Sequence, residues 1–119
     1  SVLVTGVQTC ALPIYAIDDK LGQDISIINI GKVSSLCDYF IIATASSSRQ
    51  VKAIADSVQD AFTAEGIEPT AKEGYDTQTW ILLDYADIIV HVFDEENREF
   101  YNLEKLWKDA PYVDVDTLN

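Results

Sequence analysis

The sequence predicts one α/β domain: a mixed five-stranded sheet with flanking helices. Three observations lead there. The chain has 119 residues, the size of a single domain. It is 48% hydrophobic and 24% charged, enough apolar material to close one core. Short β-rich runs alternate with segments whose apolar residues recur every three or four positions.

The elements follow in order. Ala16–Gly22 (AIDDKLG) reads as the last turns of a helix stopped by Gly22, with its earlier turns missing. Asp24–Ile30 and Tyr39–Ala45 read as strands; in the first, Ile25, Ile27 and Asn29 alternate with Ser26, Ile28 and Ile30. Ser46-Ser47-Ser48 supplies hydroxyl caps for a helix on which Val51, Ile54, Ala55, Val58 and Phe62 recur at helical spacing, with Gly66 as its stop. A short strand at 70–73 leads into Thr79–Asp84 and Asp87–Asp94, joined through Tyr85-Ala86. Ala86 is an awkward turn residue, because a tight hairpin asks for the positive φ that glycine adopts without strain. Asp94-Glu95-Glu96 places negative charge at a helix start, and Phe100, Leu103 and Trp107 recur along one helix ended by Pro111.

Residues 1–14 stand apart. They carry no charged residue, lack an initiator Met, and over Val4–Ile14 (VTGVQTCALPI) resemble translated sequencing adapter. The expected organisation is a foreign or disordered segment at 1–14, a domain at 15–113 and a tail at 114–119. Loss of the first helical turns would leave an apolar strip of sheet uncovered and favour a homodimer.

Charge narrows the function. Twenty acidic against eight basic residues give a net charge of −12, which opposes direct nucleic-acid binding, since that rests on cations displacing phosphate counterions. A basic protein is the favoured partner. Cys10 and Cys37 show no zinc or disulfide spacing, so a reducing cytoplasm is the default location. No apolar run approaches the roughly 18 residues that a membrane span needs.

If Asp84 pairs with Asp87, Trp80, Leu82, Ile89, His91 and Phe93 share one sheet face, while Ile81, Leu83, Ile88, Val90 and Val92 share the other. The second set is purely aliphatic, as a helix-covered core should be. The first mixes aromatic rings with an imidazole and reads as a contact patch. The alternative is that helices cover both faces and His91 is a core histidine. His91 is the sole His, and neither Asp84 nor Asp87 falls at ligand spacing, so no metal or cofactor is expected. Cys37 has no His near it in sequence to make it a nucleophile.

Three segments, SSLCDYFIIATASSSRQVKAIAD, WILLDYADIIVHVF and REFYNLEKLWKDAP, make residues 16 to about 113 resemble the bacterial ribosomal silencing factor family, RsfS or Iojap-like. Two departures are Ala86, where the family usually has Gly, and the shortened first helix. The resemblance implies a nucleotidyltransferase-like topology without enzymatic activity. It also implies binding to the large ribosomal subunit through its fourteenth ribosomal protein, which blocks small-subunit joining and lowers translation in scarcity. Carried over by position, it places Trp80, Leu82, Asp84, Tyr85, His91 and Phe93 on or beside the docking sheet, with Arg98 and Tyr101 at its edge.

The rival reading is a metal-dependent nucleotidyltransferase-like enzyme, with Mg²⁺ on Asp84 and Asp87 and a phosphate on the Ser46–Ser48 turn. Its parts are poor: the turn lacks the glycines and Lys of a phosphate loop.

Overall fold

The computed structural model describes residues 9–118. Strands β1 (Gln23–Ile28), β2 (Tyr39–Ala45), β3 (Ala71–Glu73), β4 (Trp80–Asp84), β5 (Ile88–Asp94) and β6 (Tyr112–Val113) form one mixed sheet in the order β3-β4-β5-β2-β1-β6. The sheet therefore has six strands, not the five expected. The sixth is a two-residue strand in which Val113 and Tyr112 pair with Ile27 and Ile28. The central pair, β2 and β5, is parallel, and every other pair is antiparallel.

Helices α1 (Ala11–Asp19) and α2 (Ser48–Ala64) cover one face. α2 forms as its sequence dictates. The Ser47 hydroxyl accepts the Gln50 N–H at 3.1 Å, its apolar stripe from Val51 to Phe62 is buried, and Gly66 takes φ +79° beyond its end. That stripe meets Ile41, Ala43, Ile81, Leu83, Val90 and Val92, so the aliphatic strand set lies under helices as its composition requires.

The boundary drawn at Tyr15 falls inside α1. Cys10, Pro13 and Ile14 are buried, so residues 11–15 supply the helical turns expected to be missing. Residues 1–8 lie outside the described residues. Gly22 is not the left-handed residue after α1; Leu21 takes that conformation, with φ +62°. Gly22 instead provides a close approach, because a Cβ there would collide with the Ile17 side chain.

The second sheet face is covered only in part. The segment after β5 is not one helix but two, α3 (Glu95–Tyr101) and α4 (Leu103–Leu106), separated by Asn102 at φ +45°. Asn tolerates this conformation better than most residues, and its side chain accepts the Lys105 N–H to start α4. Leu103, Trp107 and Ala110 then pack on Phe40, Ile42 and Ile89. No helix among the described residues is long and apolar enough to cross a membrane.

Candidate functional site

Strand alternation sends Trp80, Leu82 and Asp84 to the partly covered face, with Ile89, His91 and Phe93. The β4–β5 register pairs Trp80 with Phe93, Leu82 with His91 and Asp84 with Ile89. Asp84 therefore faces Ile89 rather than Asp87. A shift of two residues keeps every side chain on its expected face, because the period is two.

Depth separates these residues. Ile89, His91 and Phe93 are buried, His91 being only 3% exposed, so they lie beneath the surface and not at it. Trp80 and Leu82 are half-buried and form its visible part. The Trp80 ring stacks on Phe93 at 4.9 Å between centroids and meets Tyr101 of α3 at 4.6 Å. Tyr101 is 46% exposed, and the two rings make one aromatic surface.

Below it, Trp80 Nε1–H donates to His91 Nδ1 at 3.1 Å. The imidazole also meets the edge of Phe40 at 4.6 Å, and its Nε2 has no partner among the described residues. Burial alone lowers the His91 pKa to about 3, because an apolar surrounding penalises the cation. His91 is thus a neutral core histidine that fixes the indole above it.

Two expected contacts point elsewhere. Tyr85 continues the alternation of Ile81 and Leu83 onto the helix-covered face, where its ring stacks on Phe62 at 4.0 Å. Burial raises its pKa to about 12. Arg98 turns inward, with Nη1 donating to the Asp24 carbonyl at 2.6 Å and to Thr44 Oγ1 at 2.8 Å. Its Nη2 reaches Ser26 Oγ at 3.2 Å and Nε reaches Glu104 at 3.1 Å. Neither residue belongs to the exposed surface.

Asp84 has a structural task as well. Its Oδ1 accepts the Ala86 N–H at 2.8 Å in a hairpin where Ala86 adopts φ +71°.

The sequence pattern sets Phe100 and Trp107 on one inward helical stripe with Leu103 and does not single out Leu106. Phe100 is 76% and Leu106 72% exposed, and Trp107 is half-buried beside Phe40 at 5.6 Å. An unbroken helix would have stacked positions 100, 103 and 107 inward; the break at Asn102 turns Phe100 out.

The arrangement offers no assembled chemistry. Asp87 lies just before β5 and Ser46 just after β2. Because these strands run parallel in register from Tyr39↔Ile88 to Ala45↔Asp94, the two sites sit at opposite ends of the sheet, about 20 Å apart at the usual strand rise. Among the described residues, no group of three or more His, Cys, Asp or Glu side chains is placed to hold a metal. A cleft of about 660 Å³ lies between loop 31–38 and the β4–β5 turn, away from Trp80.

Residues 7–119 match the family model "Ribosomal silencing factor during starvation". The chain is 44% identical over 101 residues to the ribosomal silencing factor RsfS of Bacillus subtilis, covering 85% of this chain and 86% of that one. A crystal structure from Chromobacterium violaceum superimposes with a TM-score of 0.83 at 37% identity, covering 87% and 88% of the two chains. The mouse protein named mitochondrial assembly of ribosomal large subunit protein 1 is 31% identical over 88 residues, which cover 71% of this chain and 39% of that one. The chain belongs to the ribosomal silencing factor family, whose members are regulators and not enzymes.

Proposed function

We propose that this protein binds the large ribosomal subunit through its fourteenth ribosomal protein and blocks joining of the small subunit, repressing translation in the bacterial cytoplasm. The observation that carries this reading is the aromatic surface of Trp80 and Tyr101, with Leu82 beside it, on a chain of net charge −12. Large amphipathic rings on a pre-formed support are what dominate the centre of protein interfaces. The surrounding acidity favours a cationic protein and opposes bare RNA. The mouse relative is named for assembly of the large ribosomal subunit.

Obstruction needs no catalysis. The molecule measures 34 × 32 × 26 Å, too thick to fit within a closed interface between two subunits. A nucleotidyltransferase-like ancestry of the sheet belongs to the same proposal and adds no chemistry to it. Pairing of two copies through exposed Phe100 and Leu106 is the corresponding state away from the ribosome, to be read by light scattering.

Co-sedimentation with purified large subunits tests the proposal. The wild-type chain pellets with them and Trp80→Ala does not at the same concentration, while both give the same folded circular dichroism spectrum. Equal pelleting of the two would overturn it.

A further inference from the structure

We propose that Arg98 is a positioning residue: by clasping α3 and α4 to β1 and β2, it holds Tyr101 against Trp80 and so assembles the docking surface. The proposal rests on the docking reading above.

The argument starts from what α3 lacks. It is seven residues long and buries none of them, too short to persist on its own helical stability. Its partner α4 is a single turn of four residues, joined to it through the left-handed Asn102. Apolar packing anchors α4 through Leu103 but does not account for the placement of α3. Yet Tyr101, the last residue of α3, meets Trp80 at 4.6 Å and Phe93 at 6.2 Å.

Arg98 supplies the missing constraint. Its side chain is only 15% exposed, and its guanidinium reaches four polar groups from three parts of the chain. The Asp24 carbonyl and Ser26 Oγ come from β1, Thr44 Oγ1 from β2, and the Glu104 carboxylate from α4. Thr44 is a polar residue at 3% exposure in a strand of otherwise apolar side chains. Receiving Arg98 gives it the partner a buried hydroxyl requires. Asp24 adopts φ +50° at an irregularity in the β1–β2 ladder, and its carbonyl is one of the four acceptors.

The planar fork matters as much as the charge. A lysine ammonium at position 98 would keep the ion pair with Glu104 but lacks the rigid geometry to reach β1 and β2 together. One helical turn separates residue 98 from residue 101, so loosening the first releases the ring carried by the second.

A double-mutant cycle on large-subunit binding tests the inference, with Arg98→Lys used beside Arg98→Ala because it retains the charge. Each single substitution is expected to raise Kd about tenfold, somewhat less for Lys, and Tyr101→Ala about as much. If Arg98 acts through Tyr101, adding Arg98→Lys to Tyr101→Ala raises Kd no further. In the free protein, NMR is expected to show loss of the ring-current contact between Tyr101 and Trp80 in Arg98→Lys, with the methyl signals of Ile41 and Val90 unchanged. Additive losses, or a Tyr101–Trp80 contact that survives both Arg98 substitutions, would overturn the inference. So would unchanged binding by the Arg98 variants while Trp80→Ala still weakens it. Unchanged binding by Trp80→Ala and Tyr101→Ala as well would show that the docking reading itself had failed.

Discussion

Trp80 and His91 form a surface-to-core pair, in which the half-buried indole donates at 3.1 Å to an imidazole that solvent barely reaches. The pair separates two kinds of substitution. Trp80→Ala removes a contact and is expected to weaken large-subunit binding by about 2 kcal/mol or more. His91→Phe leaves the contact but frees the indole to turn, for an expected loss of about 1 kcal/mol, the usual net worth of one hydrogen bond. Titration of labelled variants against purified subunits would rank them, and an equal or larger effect of His91→Phe would contradict the division.

His91 also sets a pH dependence. Its pKa falls from 6.5 to about 3 on folding because burial excludes the cation, so the unfolded chain takes up a proton that the folded one refuses. The neutral form's advantage is fully present above about pH 6.5 and is lost as pH falls toward 3, at about 1.4 kcal/mol per pH unit. Between pH 6.5 and 5, before most carboxylates titrate, urea unfolding of wild type is expected to show this slope. His91→Phe is expected to lack it, and identical slopes would place His91 in a wetter site than its surroundings indicate.

Ala86 bears strain that glycine would relieve. At φ +71° it occupies a conformation unfavourable to any residue with a Cβ, in a turn closed by Asp87 N–H donating to the Tyr85 carbonyl at 2.8 Å. Ala86→Gly is expected to raise unfolding stability by about 1 kcal/mol, since release of strain outweighs the added freedom of the unfolded chain. Chemical denaturation checks this, and a lower midpoint would mean the turn is not strained.

Salt should slow capture more than it speeds release. With a net charge of −12, attraction to a cationic partner acts over about 10 Å at 0.1 M ionic strength and much less at 1 M. The association rate is expected to drop about tenfold or more between 0.05 and 0.5 M salt, with dissociation nearly constant, because rim charges act mainly on encounter. Stopped-flow mixing at several ionic strengths measures both rates.

Local chemistry made α2 and the sheet faces legible. Ser47, the stripe from Val51 to Phe62 and Gly66 each signal α2 without help from distant residues. The faces of β4 and β5 survived a register error because it was even. Tyr85 was misplaced although simple alternation from Ile81 puts it opposite Trp80. β6 was invisible because two residues carry no period, and its pairing with Ile27 and Ile28 is decided by tertiary contact. The inward turn of Arg98 was equally hidden, since its acceptors on β1 and β2 lie more than fifty positions away in sequence. At the N-terminus the uncharged stretch carries no legible helical period, yet Cys10, Pro13 and Ile14 are buried at and within α1.

The sheet tapers. Seven-residue strands at its centre give way to three residues at one rim and two at the other. Neither rim offers a row of free amides long enough to template a foreign strand, so fibril-like growth has no starting point there. Adhesion is thereby left to side chains on a single flank, which lets a molecule with so much bare aromatic area remain selective about what it touches.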